Sequence, residues 1–585
     1  MERVWTIKKY EGFTEDQVAD LQQQMNNFFD IHLTKMLASR IGFDLEKVRQ
    51  FLRPNLSQLH DPYLFNDMHK AVDRLCQAIE NNERILVYGD YDVDGTTSVA
   101  LVYSFLKEFY QNIDYYIPDR YTEGYGVSFK GVDYAATTNC KLIIALDCGI
   151  KDNARIEYAA YKQIDFIVCD HHTPGTDLPK AVAVLDAKRT DNTYPFNELS
   201  GCGVGFKFMQ AFAIKQNISF ERLLKYIDLT AVSIGSDIVP IVDENRILAY
   251  FGLKKLNAQE FKYKDQTMLL EPLTCFKAIM KDAGLNKKDE ITIYDSVFMI
   301  GPRINAAGRI ENGTEAVKLL VTEEMSQAEE FSKKISEYNE DRKNKDHDIT
   351  EKALEMLRND PKNDTNTTTV VYGDNWHKGV VGIVASRLTE NYYRPTIVLS
   401  HIDGKLTGSA RSVSDFNLYD AIDSCRKYLT AFGGHKFAAG LNLKVENYQQ
   451  FRDAFEDYVS KHITKEQQHP KIEIEQYIDF KSITISFYEE LKQFEPFGPE
   501  NPEPIFATQN VVDMGSRIVG KDKSHLRLEV MDETGATKIG IAFGMADYLP
   551  QIKTNKPFKI CYTLALNDFN GHKSVQLMVK DIKFD

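Results

Sequence analysis

Four short apolar runs constrain this chain most: RILVY (84–88), LIIAL (142–146), DFIVC (165–169) and AVAVL (181–185). None alternates polar with apolar residues, so each suits a strand buried on both faces. Helical or loop segments separate them, as in a parallel α/β sheet. The second and third runs lead directly into Asp147 and Asp170, and the first reaches Asp90 across a single glycine. In open parallel sheets, ligands collect at the carboxyl ends of the strands, so these residues are expected to face one crevice.

The first of these strand ends reads YGDYDVDGTT (88–97), with Asp90, Asp92 and Asp94 between a strand and a helix. Carboxylates at this spacing suit hard divalent cations. Alone, the segment also reads as an Asp-rich turn or a calcium loop, but an EF-hand needs Glu at its twelfth position and Leu101 stands there. The second strand end supplies Asp147, and the third supplies Asp170, His171 and His172. Asp237, in SIGSDIVP, follows an apolar helical segment and by itself reads as a simple cap. Mixed Asp and His ligands suit Mn²⁺ and tolerate Mg²⁺. Two such ions can clamp a phosphate for in-line attack without a Ser or Cys nucleophile, so the inferred reaction is hydrolysis of a phosphoanhydride or phosphodiester.

The remaining chain divides by texture. At 585 residues three or four domains are expected. The expected fold class is α/β and multidomain: a helical N-terminal region (1–80), a parallel-sheet catalytic domain (81–314), a long charged connecting helix (315–360), a smaller α/β domain (361–465) and a β-rich barrel-like domain (466–585). Eight cysteines without a CxxC pair suggest neither a zinc site nor a disulfide framework. No apolar run approaches the roughly 20 residues of a membrane span. MERVWTIKKY lacks a secretory pattern. The expected location is the cytoplasm. A net charge of −14 weighs against indiscriminate nucleic-acid binding, although local charge and bound cations set the sign at a site.

In this order, DYDVDG, LDCG and CDHH resemble the DHH phosphoesterase superfamily. GPRINAAGRI (301–310) is similar to a segment of its RecJ exonuclease branch. WHKGVVGIVASRL (376–388), GSARS (408–412) and GGHKFAAG (433–440) resemble the DHH-associated domain, and FEPFGPENPEPIF (494–506) the approach to a RecJ oligonucleotide-binding (OB) fold. The resemblance covers roughly residues 40–585. It implies a single-strand-specific 5′→3′ DNA exonuclease that uses two Mn²⁺ or Mg²⁺ ions and releases 5′-mononucleotides in repair and recombination. The partners it implies are single-stranded DNA, a RecQ-type helicase and a single-strand binding protein.

By that resemblance Asp92, Asp94, Asp147, His171 and Asp237 are metal ligands. Asp90 is an additional ligand or a supporting carboxylate, and His172 contacts metal or the scissile phosphate. Tyr88 stands where many relatives have His, so Asp90 is expected to fill the shell of the second metal instead. Arg120, Ser409 and Arg411 are expected to hold a terminal 5′-phosphate. Arg303, Asn305 and Arg309 are expected to line the strand's path. His435 follows two glycines that permit close backbone approach. GCGVG (201–205) is read as a Gly-rich turn that serves helix packing. The rival readings are a hydrolase of short oligonucleotides or cyclic dinucleotides, a non-catalytic replication scaffold and, more remotely, an inorganic pyrophosphatase.

Overall fold

The computed structural model describes residues 3–554 and 556–584, which form two compact units. One comprises residues 60–239 and 251–470; the other comprises 3–59, 240–250 and 471–584.

The first unit contains two sheets. Strands β1 (Arg84–Gly89), β2 (Ile113–Tyr116), β3 (Cys140–Leu146), β4 (Asp165–Cys169) and β5 (Ala183–Leu185) form an all-parallel sheet in the order β2-β1-β3-β4-β5. The apolar runs are buried as their composition predicts. Ile85, Leu86, Ile143, Ile144 and Val168 are fully inaccessible, and full burial of such a side chain stabilises by about 1.5–3 kcal/mol. Helices α1 (Val93–Lys107), α2 (Gly201–Lys215) and α3 (Ile227–Ser236) pack against one another beside this sheet. Beyond them run α4 (Gly301–Ile310), α5 (Gly313–Val321) and α6 (Met325–Arg358).

The charged stretch expected to be one helix over 315–360 is two helices. Thr322 and Glu324 adopt extended conformations, with ψ of 136° and 125°, and break the run between α5 and α6. No Pro or Gly marks this break. α6 then continues for 34 residues, about 50 Å of helix.

The second sheet of this unit comprises β6 (Thr369–Asp374), β7 (Thr396–Ile402), β8 (Lys405–Arg411), β9 (Leu429–His435) and β10 (Ala438–Lys444), in the order β9-β10-β8-β7-β6. Only β6 and β7 are parallel. Helix α7 (Val381–Tyr392) packs on β7 and β8.

In the other unit a seven-stranded sheet closes on itself, because strand Phe506–Asp513 pairs with Phe558–Phe569 and also, through Val512–Met531, with His525–Met531. Its core of Phe480, Leu526, Leu528, Tyr562 and Leu577 is continuous with Leu33, Met36 and Leu37 from an N-terminal helix. The N-terminal region therefore does not stand apart as 1–80. Val4–Ile7 pairs in parallel with Lys471–Ile474, and residues 3–59 pack with the barrel, whereas Met68–Glu80 belongs to the first unit. Amphipathic helices must bury one face, and periodicity alone does not name the partner. Among the described residues no helix is long and apolar enough to cross a membrane.

Candidate metal centre

β1 ends at Gly89, and Asp90 lies buried in the turn that follows. Asp92 caps α1, its carboxylate accepting the Gly95 N–H at 3.1 Å. Asp94, in the first turn, points across to another helix. Its carboxylate accepts from the backbone N–H groups of Gly201 (2.6 Å) and Cys202 (2.8 Å) and from the Ser233 hydroxyl (2.6 Å). The unsatisfied amides and the dipole at the start of α2 thus hold a carboxylate in place. GCGVG is therefore more than a packing turn. A Cβ at position 201 would lie 2.7 Å from the Asp147 Cβ, so only glycine lets α2 begin this close to the strand end.

Asp147 directly follows β3 with φ of 58°, a left-handed conformation that Asp tolerates better than most residues. At the end of β4, Asp170 is fully committed. It accepts from the Ile150, His171 and His172 N–H groups and from His172 Nδ1 at 2.8 Å. It thereby fixes both histidines. His171 Nε2 lies 3.2 Å from Asp147, 3.6 Å from Asp94 and 3.6 Å from Asp237. Asp237 reaches the cluster from the end of α3.

These groups form three overlapping triads whose ligand atoms lie within 4.8 Å of one another: Asp90, Asp92 and Asp147; Asp94, His171 and Asp237; and Asp147, His171 and His172. The electrostatics favour a bound cation. Burial, and then the Asp92 charge, pushes the Asp90 carboxyl well above its ordinary range. Burial, and then Asp94, does the same to Asp147. Desolvation together with Asp94 and Asp92 raises Asp237 to about 8. Burial lowers His171 and favours the neutral imidazole that binds metals. Both oxygens of Asp90, Oδ1 of Asp147 and both ring nitrogens of His171 are buried without a hydrogen-bond partner. Orphaned acceptors gathered in one place are costly unless something binds them, and this donor set fits one or two hard divalent ions.

Tyr88 is fully buried. Its hydroxyl donates to the Gly126 carbonyl and accepts from the Ser128 N–H, both at 3.1 Å, so it belongs to the core beneath the site. Asp90 is the group with unused oxygens. Two participants were missed in the sequence. Tyr125 donates to the Asp147 carbonyl at 3.1 Å and lies 3.2 Å from His172 Nε2. Asp186 follows β5, accepts the Lys188 N–H at 2.7 Å and is raised to about 7 by burial. The rule that singled out the other strand ends applies equally to AVAVL and its following Asp.

Away from the carboxylates, Arg120 stacks over Tyr91 at 4.7 Å. Arg309 donates to the Gly379 carbonyl at 3.1 Å, and its own carbonyl accepts from the Tyr121 hydroxyl. On α4, Asn305 lies one turn from Arg309 and about 40° around the helix. Arg303 faces elsewhere, about a third of a turn away. It donates to the Met299 carbonyl at 2.6 Å, and the acids that act on it are Asp282 and Glu340. Helical phase therefore turns Arg303 away from Arg309, with which the sequence groups it.

Ser409 and Arg411 both face the start of α7. A Cβ at Gly382 would lie 3.3 Å from Ser409 Oγ and 3.2 Å from Arg411 Nη2. GGHKFAAG joins them through strand register. Arg411 pairs with Ala438, which pairs with His435; Ser409 pairs with Gly440, which pairs with Gly433. Directly paired residues share a face, so His435 is exposed on the Arg411 face, two strands away. Glycines keep the neighbouring row bare.

Three family models match in chain order: the DHH family N-terminal domain over residues 84–234, the DHHA1 domain over 364–461 and the RecJ OB domain over 474–581. The chain is 34% identical to the single-stranded-DNA-specific exonuclease RecJ of Bacillus subtilis, covering 99% of this chain and 70% of the relative. Its fold matches that of RecJ in complex with Mn²⁺ from Thermus thermophilus, with 24% identity, a TM-score of 0.81, and coverage of 100% of this chain and 79% of that one. A second structure, exonuclease RecJ bound to manganese, is 28% identical with a TM-score of 0.58, over 70% of this chain and 97% of its own.

Proposed function

Since the chain belongs to the RecJ family of single-stranded-DNA-specific exonucleases, we propose that it hydrolyses single-stranded DNA from the 5′ end and releases 5′-mononucleotides. The observation that carries this reading is the gathering of Asp90, Asp92, Asp94, Asp147, His171 and Asp237, with orphaned buried ligand atoms, in the same unit as the Gly382–Ser409–Arg411 pocket.

In this reading Asp90, Asp92 and Asp147 hold one Mn²⁺ or Mg²⁺, and Asp94, His171 and Asp237 hold a second. When bound, such ions activate water and stabilise charge on the phosphoryl oxygens. The protein's own groups set the geometry. The start of α2 locks Asp94, and Asp170 fixes the tautomer and direction of His172, whose more exposed ring can contact the scissile phosphate. Arg411 and Ser409 receive the terminal 5′-phosphate beside the bare backbone of Gly382, with Arg120 alongside. Holding that phosphate at a fixed distance from the ions selects the bond that is cut.

The OB-type barrel and the long α6 favour an extended strand over a dinucleotide substrate. The intact ligand set favours an enzyme over a scaffold. By family analogy a RecQ-type helicase would supply the strand and a single-strand binding protein would present it.

The test is product analysis on strands labelled at either end, with and without Mn²⁺. Mononucleotides released from the 5′ end only with the metal support the reading. Release from the 3′ end, preference for two- to four-nucleotide fragments, or metal-independent release would refute it.

A further inference from the structure

Helix α6 packs along α4, so its middle turns face the helix that carries Arg309. Arg342 lies there, half-buried, with its Nε inaccessible and without a hydrogen-bond partner. The acids near it in helical spacing are already engaged. Asp346, one turn on, attracts Arg342 from beyond ion-pair distance but lies 2.8 Å from Arg387, whose charge opposes that pull, and Asp341 pairs with Lys345. Among the described residues no carboxylate lies within ion-pair distance of Arg342.

Arg342 is not the only cation so placed. Arg309 has a carbonyl as its hydrogen-bond acceptor, and Arg120 lies over a tyrosine ring. Burial, with the charges of Arg120 and Arg342 next, lowers the Arg309 guanidinium to about 10, so Arg309 feels a cation on either side, with Asp92 opposing them more weakly. Neighbouring guanidiniums in a partly dry setting repel. That cost is offset when an anion sits among them, and Arg is the side chain best shaped to bind phosphate there.

The position of the cluster says which anion. At one end Arg120 rests on Tyr91, the residue between Asp90 and Asp92 of the metal centre. At the other, Arg309 bonds Gly379, three residues before Gly382 and the Ser409–Arg411 pocket. The geometry points to Arg342 as a phosphate-binding residue that works with Arg309 on the sugar-phosphate backbone of the single strand, between the metal centre and the terminal-phosphate pocket. This rests on the exonuclease reading and adds to it a residue from the connecting helix.

The test is the salt dependence of binding, measured in EDTA to prevent turnover, with dT oligonucleotides bearing either a 5′-phosphate or a 5′-hydroxyl. Each phosphate contact on a single strand contributes about −0.7 to the slope of log K against log salt. Arg342→Gln is expected to make the slope shallower by about that amount with both ends, and Arg342→Lys to keep the wild-type slope. Arg342→Ala is the second variant should glutamine lower the melting temperature. An unchanged slope in the neutral variants overturns the assignment, as does a loss confined to the phosphorylated end, which belongs to the Arg411 pocket. If the wild type neither binds nor cuts the strand, the exonuclease reading fails first and this proposal falls with it.

Discussion

The Asp94 carboxylate rests on the opening turn of the helix that begins at Gly201, 2.6 Å from its amide nitrogen, and the same glycine leaves room for Asp147. One backbone position therefore spaces two proposed metal ligands from different strand ends. Gly201→Ala would place a Cβ 2.7 Å from that of Asp147 and 2.9 Å from its Oδ1. A displacement of this kind near reacting groups costs about 100-fold in rate. The expected result is that loss in Mn²⁺-dependent mononucleotide release with an unaltered circular dichroism spectrum. Wild-type rates in the alanine variant would show that the close approach is dispensable.

Crowded carboxylates make the metal a stabiliser as well as a reagent. Mn²⁺ at about 100 times its Kd is expected to stabilise the fold by about 2.7 kcal/mol. Asp147→Asn removes a carboxyl whose ionised form is disfavoured by burial and then by the Asp94 and Asp92 charges. Its melting temperature in EDTA should exceed that of the wild type, its gain on adding Mn²⁺ should shrink, and its hydrolysis should vanish. Scanning calorimetry with and without EDTA reads both shifts.

Asp170 touches no proposed cation, yet it holds His172 Nδ1 at 2.8 Å. Groups that orient a ligand or catalytic histidine typically contribute about 10- to 100-fold. Asp170→Asn is expected to lower kcat by about that factor with little change in KM for a long strand. A pure KM effect would place His172 in binding alone.

Arg411 and Ser409 are expected to read the strand end. Arg411→Ala should reduce kcat/KM on a 5′-phosphorylated strand by about tenfold or more, in line with a lost charge-assisted hydrogen bond, and far less on a 5′-hydroxyl strand. Equal losses on the two substrates would remove the terminal phosphate from this pocket.

Away from the site, Asp228 is fully buried and accepts from Lys255 Nζ at 2.6 Å and from the Leu273 N–H at 2.9 Å. Lys255→Met leaves that carboxylate buried without its cation and should destabilise by about 3–5 kcal/mol. Denaturant titration checks this, and a double variant with Asp228→Asn should recover part of the loss.

The sequence alone located four of the five strands of the first sheet, missing Ile113–Tyr116, and the chemistry at their ends. Unalternating runs such as LIIAL can satisfy their apolar faces only inside a sheet, and Asp147 and Asp170 follow them with no intervening residue that could carry them elsewhere. The DHH, DHHA1 and OB order was legible through the resemblance of its motifs, whereas composition showed only where the texture of the chain changes.

Contacts between distant segments were decided only by the tertiary structure. Nothing near Gly201 in the chain announces that its amide holds Asp94, because a helix start accepts any anion that packing delivers. GSARS and GGHKFAAG share one sheet face through the register of β8, β9 and β10, which pattern does not encode. Arg303 and Arg309 looked equivalent in GPRINAAGRI until helical phase turned them apart. The N-terminal strand Val4–Ile7 found its partner at Lys471–Ile474, more than 460 residues away. Local residue chemistry says which groups want a cation, a core or a hydrogen bond; only packing of the whole chain determines which remote group supplies it.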